Sequence, residues 1–505
     1  MKKTFLFTIL VCIALAINAF SGGAGSSSSP YLVSNADDLA EVSGSSYYKL
    51  TNDIDLTEWI AVNAPSQGWI PIANFNGVFD GANYTIKGLM INRNSDNVGL
   101  FGYCAYDECV IKNVSIINPQ IKGGNYVGTI AGSADHIENC HVIGGSIEGT
   151  NYVGGIAGVL NTEDFALNDY NADESHSFAI KQSSASVNIF AVSHVGGIVG
   201  ATHSSTYAHS WVGSIYRHTG SATVTNCYFN GRIVATGNSV GGIVGGNYMA
   251  AYLSPYGTFD YCKEIAYVTS NYARGSVTGI SNVGGIVGNN CLNTEKNVCI
   301  LDTLSAREAS YRISKDAKGD NRAWNQTVII QGRREVAVDD SPAQGTSAVL
   351  STLRRMATYE NMGWDFYNIW DIQQGESFPY LFDQSAPLAK VTNFEAGTRA
   401  TISGSATKNG FVGIIVRGVP YETQSIDGEW KITLGAIENG TPTLYYFREN
   451  GLAPSYPQVA IATNSSGIFA PSVGAEIKEY QWENIRIVHI IRNGKVVSRK
   501  KYIVK

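Results

Sequence analysis

One short glycine motif recurs six times in the first three hundred residues. The copies are Val98-Gly-Leu-Phe-Gly102, Val127-Gly-Thr-Ile-Ala-Gly132, Val153-Gly-Gly-Ile-Ala-Gly158, Val195-Gly-Gly-Ile-Val-Gly200, Val240-Gly-Gly-Ile-Val-Gly245 and Val283-Gly-Gly-Ile-Val-Gly288. Their first residues lie 29, 26, 42, 45 and 43 positions apart. Repeats this small cannot bury a face alone, so each must stack on its neighbours. Between the glycine motifs come Asn turns (Ile111-Lys-Asn113, Ile137-Glu-Asn-Cys140, Val224-Thr-Asn-Cys227) and short strand-turn pieces such as Gly145-Ser-Ile-Glu-Gly149. Short strands punctuated by Gly and Asn, with almost no helical periodicity from 31 to 300, predict an all-β solenoid. Phe101, Ile130, Ile156, Ile198, Ile243 and Ile286 are expected at equivalent places, each a bulky residue flanked by glycines where turns pack closely.

The wider spacings imply insertions on one side of the solenoid, at 159–190, 203–222 and 246–268. The stretch 300–345 is more polar than a turn of a solenoid should be. Its Arg307, Arg312, Arg322, Arg333 and Arg334 suggest a long loop or insertion.

Several ordered motifs add a resemblance. Tyr48-Lys-Leu-Thr-Asn-Asp53-Ile-Asp55, Trp69-Ile-Pro-Ile72, Phe79-Asp-Gly81 and Tyr84-Thr-Ile86-Lys-Gly-Leu89 precede the glycine copies; Gly363-Trp-Asp-Phe366, Ile369-Trp370 and Phe378-Pro-Tyr-Leu381 follow them. Together they resemble the bacterial GLUG-motif family over about residues 31–382. The resemblance implies a right-handed parallel β-helix in a secreted or surface-exposed, adhesin-like protein. After a linker at 383–389, residues 390–465 resemble a bacterial Ig-like module. Gly404-Ser-Ala406, Asp427-Gly428-Glu-Trp430 and alternating runs such as Phe411-Val-Gly-Ile-Ile-Val416 carry that likeness, and the length suits a small sandwich. Residues 466–505 are expected as a basic β-hairpin tail, its turn at Asn493-Gly494. Such a tail is similar to C-terminal sorting signals; a charged edge strand that discourages aggregation is the alternative. The expected fold class is therefore all-β: a β-helix, a small Ig-like sandwich and a short β tail.

Lys2 and Lys3, the apolar run from Phe5 to Ile17 and the small residues Ala19 and Ser21 predict a cleavable signal peptide over 1–21, with a Gly/Ser linker at 22–30. A chain of net charge −6, which cleavage makes more negative, offers no general electrostatic case for nucleic acid. The expected partner is an extracellular glycan or protein, and attachment to the outer envelope goes with the same reading. Cys104 with Cys109, and Cys291 with Cys299, are spaced to close small loops; buried reduced thiols are the alternative.

No catalytic residues are expected. No His-Glu-x-x-His peptidase motif occurs, and no paired carboxylates stand in the regular turns. Gly237-Asn-Ser239-Val-Gly241 matches the hydrolase pattern, but a strand rather than a helix follows it. Tyr207, Trp211, Tyr216, His203 and His209 in the second insertion are the candidate ligand patch, since aromatic faces stack on sugar rings and imidazoles bind polar groups or metals. Asp169, Asn171 and Asp173 alternate like calcium ligands, but the sequence lacks the glycine and the terminal Glu of such a loop. Calcium is thus the one cofactor to test; otherwise none is expected. The expected function is adhesin-like binding or display through the insertions, not catalysis. A polysaccharide lyase or hydrolase and a structural surface-layer or filament component are the alternatives.

Overall fold

The computed structural model describes residues 20–104, 109–160, 174–203, 206–211, 214–248, 266–289, 293–372, 378–381, 390–406, 411–416, 419–426, 428–438, 442–448, 458–461, 475–482, 485–492 and 495–503. Within them the chain winds as a parallel β-helix from Tyr31–Val33 to Thr346–Ala348. Each regular turn supplies a strand to one stacked sheet, Phe101–Cys104 and Ala131–Ala134 for example. It then bends through a second and a third face. His136–Glu148 shows the bends: its residues 136–138, 141–143 and 146–148 pair separately with the neighbouring turns.

Because side chains alternate across a strand, one column on every face points inward. On the third face that column is Ile54, Ile86, Ile116, Val142, Ala185, Phe229, Ala273, Cys299 and Ala323, in continuous register and buried. Burying each isoleucine contributes on the order of 2 kcal/mol. On the second face an outward column alternates in sign, Lys49, Asp80, Lys112, Glu138, Lys181, as cross-strand pairing favours.

The Asn turns have a conformational cause. Asn113, Asn139, Gln182, Asn226, Ser270 and Lys296 occupy the corner between the second and third faces, all with φ between 47° and 59°. Asn tolerates this left-handed region better than other L residues. Beside that corner an internal polar ladder closes backbone groups that the bend would orphan. Asn271 Oδ1 accepts from the Cys227 amide (2.8 Å), Asn297 Oδ1 from the Asn271 amide (3.0 Å) and Asn321 Oδ1 from the Asn297 amide (2.9 Å). Ser183 Oγ does the same for Cys140 at 3.1 Å. The glycines of the motif answer to close approach: a Cβ on Gly242 would stand 2.1 Å from the Gly285 carbonyl oxygen, and one on Gly197 2.1 Å from that of Gly242.

Several expectations change here. Phe101 pairs with Ala131 and not with Ile130, because the first motif is one residue shorter; Ile130, Ile156, Ile198, Ile243 and Ile286 are buried, as is Phe101. Residues 300–345 are not a loop. Val298–Ala306 and Arg322–Trp324 continue the coil, and the polar outlier Arg312 is wholly buried. Its guanidinium donates to the carbonyls of Trp324, Asp339 and Gly345 and to Ser347 Oγ. Residues 22–30 are not a free linker: Leu32 donates to the Gly22 carbonyl, and Phe20 stacks on Tyr31 at 4.8 Å. Cys104 and Cys109 are bridged, whereas Cys140, Cys227 and Cys299 are buried free thiols. Cys291, the expected partner of Cys299, lies outside the described residues. Burial pushes the Cys227 thiol up to about 12.

Residues 350–372 and 378–381 do not form a further turn but strap the outside of the third face. Trp370 Nε1 donates to Asn226 Oδ1, Trp364 Nε1 to the Lys296 carbonyl and Tyr272 Oη to the Pro379 carbonyl. Tyr228, Tyr272, Val298 and Trp324 from the solenoid join Tyr359, Trp364 and Trp370 from the strap in a second apolar core.

Beyond it, seven strands form two antiparallel sheets. Lys390–Glu395, Thr401–Ser405 and Glu429–Thr433 make one; Val419–Gln424, Phe411–Val416, Pro442–Arg448 and Gln458–Ile461, in that spatial order, make the other. Ile402, Val412, Ile414 and Trp430 are buried between them. The tail is a three-stranded antiparallel sheet, Ala475–Trp482, Ile485–Arg492 and Lys495–Ile503, one strand more than the expected hairpin.

Candidate functional site

The three insertions leave the solenoid at one corner. Leu160, Thr202 and Asn247 stack in register where the chain leaves for the first, second and third insertions, and His203 pairs with Tyr248 one residue further on. The chain returns at Ala179, Thr223 and Tyr267, also in register. Thr202 Oγ1 donates to Asn247 Oδ1 (2.9 Å), tying two of the exits together inside the wall.

The insertions are also partly sheet. Glu174–Lys181 pairs with the Asn turn below it only through residues 179–181, and its first five residues run on past the corner beside residues 218–222. Thr206–Trp211 folds back antiparallel on Ser214–Thr225. The parallel and antiparallel ladders together build a three-stranded wing off the second face. In the hairpin, Tyr207 stands opposite His218, His209 opposite Tyr216 and Trp211 opposite Ser214. Alternation therefore assigns Tyr207, His209, Trp211, Tyr216 and His218 to one face of the hairpin by register. The side-chain surroundings of these five lie outside the described residues.

His203 does not share that place. It ends the strand Val199–His203 inside the wall, 2% exposed, and burial lowers its imidazole to about 4. A neutral, enclosed ring is part of the packing and not a surface ligand. Sequence reasoning included it because it stands at the first position of the insertion expected at 203–222. Asp169, Asn171 and Asp173 lie outside the described residues. Among the described residues no cluster of three or more His, Cys, Asp or Glu could hold a metal ion. Ser239 sits at a left-handed corner (φ 60°) ahead of a buried valine and glycine, 4% exposed, which is not the geometry of an exposed nucleophile.

One surface feature was missed in the sequence. At that corner Tyr126 stacks on Tyr152 (4.9 Å, 8° between planes) and Tyr152 on His194 (4.7 Å, 25°). All three have φ between 54° and 58°, a conformation costly for bulky residues. Asn97, Ser239 and Asn282 hold the same corner in other turns, so the signal was the motif's variable preceding residue.

No family model matches the chain. Over 135 residues it is 37% identical to halomucin of Haloquadratum walsbyi, a match covering 24% of this chain and 2% of that protein. Over 113 residues it is 34% identical to a candidate Gly-rich membrane protein of Evansella cellulosilytica, covering 21% of this chain and 13% of that one. The matches thus span a small fraction of either relative's length. Among solved structures, that of a candidate immunoglobulin A1 protease from Bacteroides ovatus is similar at a TM-score of 0.44 and 20% identity, covering 72% of this chain and 95% of that one. Since that neighbour is named for a protease, the expectation that this chain is not an enzyme is withdrawn. The likeness assigns no activity to this chain. Among the described residues no helix is long and apolar enough to cross a membrane.

Proposed function

We propose that the chain is an exported, adhesin-like protein of the GLUG-motif type, released from or displayed at the cell surface. It contacts an extracellular glycan or protein through the insertions at one corner of its β-helix. The observation that carries this reading is that the exit points of all three insertions stack on one another, and so do their return points. A rigid wall that gathers its irregular segments along one edge offers an extended contact surface, as solenoids do. The register that groups Tyr207, His209, Trp211, Tyr216 and His218 on one hairpin face supports aromatic stacking on sugar rings. The signal peptide, the Ig-like character of the sandwich and the sorting role of the tail belong to the same reading.

Arrays of glycans and matrix proteins probed with the secreted full chain test it, with depolymerisation of any bound polysaccharide followed in parallel. Selective binding that is lost in a Tyr207→Ala, Trp211→Ala, Tyr216→Ala triple variant, with circular dichroism unchanged, is the expected result. Binding untouched by that variant would overturn the choice of face, and cleavage of the bound polymer would replace display with catalysis.

A further inference from the structure

The outward side of the third face is buried over more turns than the strap's apolar core includes. Under residues 350–372 and 378–381 lie Tyr228, Tyr272 and Val298. On earlier turns of the same face Ile117 and Ile143 point outward, since Ile116 and Val142 beside them point in. Yet they are only 3% and 2% exposed, and Ser115, His141, Ser184 and Ser186 around them are buried too. Neither isoleucine belongs to the solenoid core or to the strap's cluster.

Two observations point to an occupant. Lys87, which pairs with Ile117 and through it with Ile143 in one outward column, has its Nζ 3.7 Å from Glu422 Oε2. Glu422 stands on Val419–Gln424, the edge strand of the four-stranded sheet in the sandwich. The second is reach. The strap closes beside Tyr272, through the Pro379 carbonyl. From that turn back to the turn of Lys87 the register steps through Tyr228, Ser184, His141 and Ser115 to Thr85. At one strand spacing per step this is about 24 Å. Residues 382–389, which join Leu381 to Lys390, reach about 30 Å when extended.

We propose that this face is an intramolecular docking surface whose occupant is the chain's own sandwich. The sandwich folds back along the solenoid, its Val419–Gln424 edge at Lys87, and covers the outward column that holds Ile117 and Ile143. Docking there covers an exposed sheet edge, which otherwise invites pairing with other chains. The sandwich is then no spacer beyond the end of the rod. It is carried alongside, on a different face from the corner where the insertions emerge. This inference stands apart from the proposed binding role and does not depend on it.

Zero-length carbodiimide cross-linking of the secreted full chain, with mass spectrometry of the monomer, should yield a Lys87–Glu422 link. X-ray scattering should report a compact particle. Ile117→Arg with Ile143→Arg changes only outward side chains. It should abolish the link, enlarge the radius of gyration and speed proteolysis within 382–389, while circular dichroism of the solenoid is retained. If that variant fails to fold, Lys87→Glu should raise the cleavage rate by up to about fivefold, the most an exposed ion pair supplies, and adding Glu422→Lys should restore it. An extended wild-type particle without the link, or cleavage equally fast in wild type and variants, overturns the proposal.

Discussion

Replacing Asn271 with Ala tests what holds the corners of the solenoid. Its Oδ1 accepts from the Cys227 amide at 2.8 Å, and its Nδ2 donates to the Val224 carbonyl at 2.9 Å and to Asn297 Oδ1 at 3.1 Å, all in a fully buried setting. Asn297 Oδ1 keeps its bond from the Asn271 backbone amide, so that partner is not stranded. The Cys227 amide is. An orphaned buried donor costs about 1–3 kcal/mol and a lost second bond about 1, so Asn271→Ala should destabilise by about 2–4 kcal/mol. Asn271→Ser should cost less, because Ser183 fills the same ladder position and accepts from Cys140 through its hydroxyl. Since neighbouring turns of a solenoid unfold semi-independently, the readouts are native-state hydrogen exchange at the Cys227 amide and the urea midpoint. A loss below about 1 kcal/mol, or Ala and Ser variants that exchange alike, would refute the view that the ladder is a structural necessity.

Further expectations follow from single contacts. Gly242→Ala should block folding or lower the urea midpoint sharply, since its Cβ would meet the Gly285 carbonyl, whereas Gly435→Ala, with no atom within 4 Å, should be neutral by the same assay. His203, lowered to about 4 from 6.5, takes up its proton more readily in the unfolded chain. Stability it contributes is present above about pH 6.5 and is lost as pH falls toward 4, up to about 3 kcal/mol; a His203→Gln variant should lack that part of the pH dependence in denaturation curves. Arg312→Ala should destabilise the last turns by several kcal/mol, since it strands buried carbonyls of Trp324 and Gly345, while Arg334→Ala on the surface should change little.

The solenoid was legible because its constraints are local and repeated. A Gly pair packed against the next turn's carbonyl, an Asn in a left-handed corner and one inward residue per short strand each leave a mark at every turn. Register was harder. The first motif's missing residue moves Phe101 to the place of Ala131, which periodicity cannot see. Composition misled at 300–345, because Arg312 is buried with its Nη1 and Nη2 bonded to carbonyls of the closing turns, and no local pattern records partners 12 to 33 residues away. The strap was visible as motifs but not as a position: its tryptophans find Asn226 and Lys296 up to 144 residues upstream.

The site is less legible for a physical reason and not for want of motifs. Turns of the wall are constrained by both neighbours, so their sequence repeats; a segment leaving the wall is constrained only where it departs and returns. That is why Leu160, Thr202 and Asn247 stack while differing in chemistry, and why the aromatic hairpin has no counterpart in the other turns among the described residues. A solenoid can therefore change its ligand by changing insertions without disturbing its coil, and its repeats speak to architecture alone.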